Sequence, residues 1–295
     1  MTVCQSLLEA AARAPRLLGA STALVAEFLL GQLAPSGGFR GRDQAPDLYY
    51  TAFGLMAARA IGADLPGERV RQFLDSFGDG EQLDLVHLAS LARSYACLGL
   101  EALEEPKRAA LTRCLDRLAL PDGGFSHRRD ACAPSVYGCF LALGAYGDLG
   151  AEPPPRLGES LEALRLPDGS YANEPGSPSG STPATAAAVV IGEQLNRAAD
   201  PATLEWLLER VHPGGGFLAA PRAPIPDLLS TATALHALAV AGGDFGALAP
   251  SCLDFVESLW NGRGAFAGSA LDPTPDCEYT FYGLLALGHL WQCDG

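Results

Sequence analysis

The sequence lacks several features, and each absence argues against a class of protein. No run of about 18 apolar residues occurs, so no transmembrane helix is expected. The first twenty residues carry Glu9, Arg13 and Arg16 inside an apolar stretch, whereas a signal peptide needs an uninterrupted one. The eight cysteines form no CxxC pair and are too few for a disulfide framework in 295 residues. The sequence therefore predicts a cytoplasmic protein without a membrane span.

Charged residues are also scarce, at 18%, and the acidic ones outnumber the basic ones, which gives a formal net charge of −14. Nucleic acid and anionic membrane surfaces repel such a protein, so neither is expected as a partner. Hydrophobic residues make up 48% of the chain, enough for a large core. The length suits either two ordinary domains or one closed repeat architecture.

A short pattern recurs along the chain: a helix, a glycine-rich turn that ends in an aromatic residue, a polar stretch and a second helix. The turns read PSGGF (35–39), PDGGF (121–125), PDGSY (167–171), PGGGF (213–217) and GRGAF (262–266). Their aromatic residues are 86, 46, 46 and 49 positions apart. The first gap spans two units, and residues 72–99 fit a copy without the aromatic. We therefore expect six repeats, over residues 22–62, 68–100, 108–147, 158–195, 202–242 and 250–291.

The second helix of each unit begins after a residue that is typical of helix N-caps. These residues are Asp47, Asp84, Ser135, Thr182, Asp227 and Asp276. The helices that follow are apolar almost all round, which is typical of burial on both sides, whereas the first helices are amphipathic. The pattern predicts an all-α fold in a single domain over residues 1–295, an (α/α)6 toroid with an inner apolar and an outer amphipathic ring. An open solenoid is the alternative, but neither end shows a polar capping repeat.

The PDGGF turn and the PDxxYTxxGLxAL helix together resemble the β subunits of protein prenyltransferases and, more distantly, squalene and oxidosqualene cyclases. The resemblance extends from about Val25 to His289. It implies an isoprenoid or other apolar small molecule as ligand, and a helical-repeat α subunit as partner. Without such a partner, an exposed apolar rim would predict self-association. Because one barrel hosts both transferases and cyclases, the resemblance does not fix the reaction.

In the transferases that this chain resembles, zinc is bound by an Asp, a Cys and a His. The matching positions here are Asp227, Leu229 and Tyr279, so one ligand of three is kept, and a leucine supplies no donor atom. The Arg and Lys that would hold a prenyl diphosphate correspond to Pro221 and Pro224. No cofactor is therefore expected, and zinc would need a site displaced to other repeats.

Asp276 and Glu278 stand two residues apart at the start of an inner helix, beside Cys277 and Tyr279. One interpretation is an acid or metal site at the mouth of a cavity. The other is an N-cap followed by a glutamate that complements the helix dipole. The first would suit a class II terpene cyclase-like enzyme, although the sequence contains no DxDD motif.

Asp47 and His87 form a second candidate group. His87 follows Asp84 at the offset that the zinc histidine has after its aspartate in the transferases, and Tyr49 replaces the cysteine one repeat earlier. These residues form either a rotated metal site or two N-caps beside a partly buried histidine.

Two more sets of residues are candidates for binding the ligand. Arg40 and Arg42 precede an inner helix, where they either meet an anionic head group or are solvated loop charges. Aromatic residues follow several caps, where they either line an apolar cavity or pack between helices: Tyr49, Tyr50, Phe53, Tyr137, Tyr279 and Tyr282, with Phe140 and Phe281.

Three functions stay open from the sequence. The leading one is a divergent prenyltransferase β-subunit-like protein with an apolar central cavity for an isoprenoid or similar lipid chain, with catalysis left open. The second is a non-catalytic lipid-binding or scaffolding barrel. The third is a class II terpene cyclase-like enzyme that uses a carboxylic acid near Asp276.

Overall fold

Long helices begin where the sequence offers a polar side chain that accepts a hydrogen bond from their first turn. In a computed structural model, which describes residues 1–99 and 103–291, five of the expected N-caps accept a hydrogen bond from the backbone N–H three residues further on. These are Asp47, Asp84, Ser135, Asp227 and Asp276. Leu100, the predicted end of the second repeat, and Cys293 lie outside the described residues.

The described residues form mainly helices, joined by short turns. The helices are α1 (Val3–Ala11), α2 (Pro15–Leu18), α3 (Thr22–Gln32), α4 (Leu48–Ile61), α5 (Gly67–Asp75), α6 (Leu85–Leu98), α7 (Glu105–Leu118), α8 (Val136–Leu149), α9 (Leu157–Ser160), α10 (Thr182–Gln194), α11 (Pro201–Leu208), α12 (Leu228–Val240), α13 (Ala249–Ser258) and α14 (Cys277–Leu290). Short 3-10 turns cover Gly19–Ser21, Glu162–Leu164 and Gly246–Leu248. Two two-residue strands, β1 (Phe217–Leu218) and β2 (Pro226–Asp227), pair antiparallel.

The expected N-cap of the fourth inner helix is wrong by one residue. Ser181, in extended conformation, caps α10 and accepts a hydrogen bond from the backbone N–H of Ala184. Thr182 is the first helical residue, and its hydroxyl donates instead to the carbonyl of Leu218. The reason is the register of the repeat: Thr185, four residues after Ser181, accepts a hydrogen bond from the backbone N–H of the turn aromatic Tyr171, as Thr231 does from Phe217 in the fifth repeat.

Six helices form a closed inner ring, in which each helix packs against the next and α14 packs against α4. In order around the ring these are α4, α6, α8, α10, α12 and α14. The helices α3, α5, α7, α11 and α13 lie outside this ring against their inner neighbours. Of these, α5, α7 and α13 are amphipathic as expected, whereas α3 carries apolar residues on all its faces. The predicted all-α (α/α)6 toroid is therefore confirmed. Among the described residues, no helix is both long enough and apolar enough to cross a membrane.

The glycine-rich turns lock each hairpin to its own inner helix and to the next repeat. The backbone N–H of Phe217 donates to the hydroxyl of Thr231 on α12 at 2.9 Å, and the Phe217 ring is fully buried. Gly215 has φ +88°, and a Cβ there would lie 1.9 Å from the carbonyl oxygen of Ser251 in the next outer helix. Only glycine permits both the left-handed backbone and this close approach.

The outer ring closes in the same way as the inner one. Gly264, in the last turn, has φ +95°, and a Cβ there would lie 1.9 Å from the carbonyl oxygen of Leu24 in α3. The turn of the sixth repeat therefore contacts the outer helix of the first. The first and last repeats are thus joined twice, by α14 against α4 in the inner ring and by the Gly264 turn against α3 in the outer ring.

Helix α1 lies across one end of the barrel, against α4, α8 and α14. It is opened by a capping box, in which Thr2 and Gln5 exchange hydrogen bonds of 2.8 and 3.2 Å. A Cβ on Gly288 would lie 1.9 Å from the carbonyl oxygen of Ala10, so α1 sits directly on the last turn of α14. The end of the barrel at which the inner helices terminate is covered by this helix.

Candidate functional site

The inner helices present the same positions to the axis of the barrel. Counted from each N-cap, residues 2, 5, 6 and 9 lie on one face, because helical positions three and four apart share a face. We define three layers from these positions. The rim layer is Tyr49, Tyr137, Pro183, Leu229 and Glu278; the middle layer is Ala52, Phe53, Ala89, Ser90, Phe140, Leu141, Ala186, Ala187, Thr233, Phe281 and Tyr282; the deep layer is Met56, Arg93, Val190, His236 and Leu285.

These layers enclose a cavity with a volume of about 520 Å³. Ligand pockets of proteins span roughly 300–1,000 Å³. Leu7 of α1 contributes to the wall and places the covered end of the barrel next to the deep layer. The opposite end is surrounded by the first turns of the inner helices, where Asn173 and Ser181 join the rim layer. Most of the wall is aliphatic or aromatic, so the cavity suits an apolar ligand.

Among the described residues that line the cavity, Glu278 is the one with a carboxyl group, and it lies at the rim. Its Oε1 accepts a hydrogen bond of 2.7 Å from the hydroxyl of Tyr49. Burial raises the pKa of Glu278 to about 7, reinforced by the charge of Asp276 and partly offset by the Tyr49 hydrogen bond and by Arg42. Burial also raises the pKa of Tyr49 well above its ordinary value, so this phenol stays protonated and donates. A substantial fraction of Glu278 is therefore a neutral carboxylic acid near pH 7.

Asp276, predicted together with Glu278, faces away from the cavity into an ionic cluster. Its Oδ1 accepts a hydrogen bond from the backbone N–H of Tyr279 at 2.8 Å, and its Oδ2 accepts one from Arg42 Nε at 2.8 Å. A second carboxylate, of Asp272, lies 2.9 Å from Arg42 Nη2. Two carboxylates thus neutralise this guanidinium, which also lies over the ring of Tyr279 at 5.4 Å.

The two arginines expected to act together are separated. Arg40 donates to the carbonyl oxygen of Gly31 at 3.0 Å, on the outer side of the turn, while Arg42 belongs to the ionic cluster. Of the eight predicted aromatic residues, six line the cavity: Tyr49, Phe53, Tyr137, Phe140, Phe281 and Tyr282. Tyr50 packs edge-on against Tyr49 from outside the cavity wall, with ring centroids 5.6 Å apart.

The predicted group of Asp47 and His87 is held in separate local contacts. Asp47 caps α4 through the backbone N–H of Tyr50. The ring of His87 bonds through Nδ1 to Asp84 Oδ1 at 2.7 Å, within its own helix start. Within residues 1–99 and 103–291, no three His, Cys, Asp or Glu side chains lie together in a group that could hold a metal ion.

The residues at the zinc positions of the transferases do not form a donor set. Asp227 uses both carboxylate oxygens on Ser230, at 2.7 Å from its backbone N–H and 2.8 Å from its hydroxyl. Leu229 places an apolar side chain in the rim layer, and Tyr279 lies beneath the Arg42 guanidinium. Since zinc needs nitrogen, sulfur or oxygen donors, these three residues do not fit the metal.

Sequence reasoning did not single out the two polar residues of the deep layer, Arg93 and His236. The signal that identifies them is the N-cap register: both stand nine residues after their caps, on the cavity-facing stripe. His236 contacts His289, with 3.0 Å between Nδ1 and Nε2. Burial lowers the pKa of His236 to about 4, which keeps it neutral.

Comparisons with known proteins give a family and a fold. The model of the prenyltransferase alpha-alpha toroid domain matches residues 16–87, 90–196 and 184–294. The type II terpene cyclase MstE from Scytonema superposes with a TM-score of 0.65 and 16% identity, over 93% of this chain and 97% of that one. Protein geranylgeranyltransferase-I from Candida albicans, complexed with GGPP, superposes with a TM-score of 0.66 and 16% identity, over 92% and 91%.

A third similar structure, of a protein from Actinoplanes, has a TM-score of 0.60 and 18% identity, over 94% of this chain and 99% of that one. No curated protein matches the sequence significantly. At these identities the structural likeness shows the fold alone.

Proposed function

The chain belongs to the prenyltransferase α/α-toroid family, and from that premise we propose that it binds a neutral isoprenoid or similar apolar chain inside the barrel. The observation that carries this proposal is the cavity of about 520 Å³, walled by matching positions of the inner helices and covered at one end by α1. Similar barrels have been solved with geranylgeranyl ligands, namely GGPP and geranylgeranyl dihydroxybenzoate.

The charges at the rim favour a neutral head group over a diphosphate. Glu278 lines the rim, while the nearby cation, Arg42, is already matched by Asp272 and Asp276. A diphosphate would have to displace these carboxylates and approach Glu278, and like charges repel in a site of low dielectric constant. An alcohol or carbonyl oxygen, in contrast, accepts a hydrogen bond from the neutral form of Glu278.

The raised pKa of Glu278 also decides whether this residue can act as a catalytic acid. Protonation of a double bond requires a strong acid, and a carboxyl with a pKa of about 7 is a weaker acid than an ordinary glutamic acid. Hydrogen bonding by Glu278 to a ligand oxygen therefore follows more directly from the geometry than cyclisation does. We accordingly place binding of the chain before the class II cyclase-like alternative.

The test is a titration of the purified protein with farnesol, geranylgeraniol and geranylgeranyl diphosphate, read by thermal unfolding. We expect the alcohols to raise Tm by about 5 °C at a hundredfold excess over Kd, because a ligand that binds only the folded chain stabilises it. The diphosphate should have a much smaller effect.

Ala187 lies in the middle layer, so Ala187→Phe should fill part of the cavity and remove the response to the alcohols. Ala202→Phe adds the same volume on the exposed face of α11 and should keep it. A flat response of the unaltered protein to both alcohols would refute chain binding. A response to the diphosphate alone would refute the neutral head group.

A further inference from the structure

The deep layer of the cavity contains two polar side chains among apolar neighbours. Arg93 and His236 occupy the position nine residues after the N-cap in the second and fifth repeats, whereas Met56, Val190 and Leu285 occupy it in three others. Their helices, α6 and α12, are three steps apart in a ring of six, and so face each other across the cavity. A purely hydrocarbon ligand gives no reason for such residues at this depth, because burying polar groups is costly.

The side chain of Arg93 is held in place by contacts with neighbouring helices. Its Nε donates to Asp148 Oδ2 at 2.5 Å, and the Asp148 side chain is only 1% exposed. Gly144 makes room for the guanidinium, since a Cβ there would lie 2.8 Å from Arg93 Nη2. Among the described residues, the terminal nitrogens meet only the weak acceptor sulfur of Met56, at 3.7 Å from Nη1. The guanidinium therefore keeps N–H donors available to the cavity.

His236 provides the second polar group. The residue is 3% exposed, and its Nδ1 contacts His289 at 3.0 Å, which orients the ring. Its Nε2 is buried and has no hydrogen-bond partner among the described residues. Buried polar atoms are nearly always hydrogen-bonded, so this nitrogen calls for a partner.

The charges at the covered end of the cavity determine which ligand groups can bind there. Asp148 already compensates the positive charge of Arg93, and His236 is neutral. An additional anion would leave a net negative charge in a buried site, which is unfavourable. A hydroxyl or carbonyl oxygen adds no charge and accepts from Arg93, and a hydroxyl also donates to a ring nitrogen.

We propose that the covered end of the cavity recognises a neutral oxygen atom, hydroxyl or carbonyl, on the end of the chain that enters first. This inference depends on the proposed binding of an apolar chain and narrows the ligand to one with oxygen at both ends. Glu278 and Tyr49 at the rim contact one oxygen, and Arg93 and His236 contact the other. Between them the middle layer contacts the hydrocarbon.

The experiment compares farnesol with ω-hydroxyfarnesol, which differs by one hydroxyl at the far end, through Kd values from calorimetry. We expect ω-hydroxyfarnesol to bind about tenfold more tightly, the effect of about one hydrogen bond. Two variants should abolish this ratio while farnesol still binds: Arg93→Met with Asp148→Leu, which removes the whole ion pair, and His236→Phe. The control, Arg156→Met with Glu159→Leu, removes an exposed ion pair outside the cavity and should preserve the ratio.

The ratio of the two Kd values tests the inner oxygen site separately from the proposed binding of an apolar chain. A ratio of one or less in the unaltered protein, with farnesol bound, would overturn the inner oxygen site and leave chain binding intact. A tenfold ratio that survives both deep-layer changes would also overturn it, because the hydroxyl would then bind elsewhere. Failure of both chains to bind the unaltered protein would refute the proposed function and the inner site together.

Discussion

Replacing Glu278 by glutamine should make the protein more stable at high pH than at low pH, relative to the unaltered chain. Below pH 4.5 the carboxyl is protonated in both folded and unfolded chains, and the two proteins should be similarly stable. Between 4.5 and its raised pKa of about 7, the unfolded chain releases this proton while the folded chain retains it. At about 1.4 kcal/mol per pH unit, the folded chain loses about 3 kcal/mol of stability over this interval. Glutamine does not titrate and avoids this loss.

The measurement is urea unfolding of both proteins at pH 5 and pH 8, with the free energy of unfolding obtained by linear extrapolation. The difference between them isolates Glu278, since all other groups titrate equally in both. We expect Glu278→Gln to gain about 2.5 kcal/mol over the unaltered chain between the two pH values, since part of the loss has already occurred at pH 5. The exposed Glu205→Gln should show no such gain. A pH-independent difference for Glu278→Gln would show that the carboxyl is well solvated and that the rim is not an apolar site.

Two further predictions test how the fold is held together. Gly288→Ala should destabilise the protein, because its Cβ would collide with the α1 backbone. Gly31→Ala, in an open part of α3, should instead stabilise it by up to about 1 kcal/mol through helix propensity. Thermal unfolding measures both changes, and equal effects would contradict the close packing of α1. Thr231→Val should lower the free energy of unfolding by about 1–3 kcal/mol, because the buried N–H of Phe217 loses its acceptor. The control Thr233→Val loses only a hydrogen bond to its own helix and should have a smaller effect. Equal losses in urea unfolding would argue against the hydrogen bond between turn and helix.

The repeat architecture could be predicted because the same local chemistry recurs. Each glycine-rich turn needs a backbone conformation that few residues adopt, and each N-cap needs a short polar side chain, so both leave a mark in the sequence. The second repeat could be recognised without its aromatic because Gly78 and Gly80 remain. There, Leu88 stands four residues after the cap, where Thr231 stands in the fifth repeat, and it contacts Gly80.

The candidate site was harder to predict, because its residues come together only through ring closure. Glu278 and Tyr49 are at opposite ends of the sequence, and their hydrogen bond depends on α14 packing against α4. The pairing of Arg42 with Asp272 likewise crosses this junction. Sequence spacing alone therefore suggested that Arg40 and Arg42 act together, although their side chains contact different neighbours. The expected helical-repeat partner and the cytoplasmic location stay predictions.

The junction between the first and last repeats also has a consequence for biosynthesis. Helix α1 packs on α14 as well as on α4 and α8, and the turn at Gly264 packs on α3, so these early segments complete their contacts only when the last repeat has been made. A ribosome-bound chain would hold an arc whose first inner helix, α4, lacks its neighbour on one side. Contacts between such distant segments form slowly, and exposed apolar surface favours aggregation in the meantime. The arc therefore closes into a ring only after the turn at Gly264 and helix α14 have been synthesised.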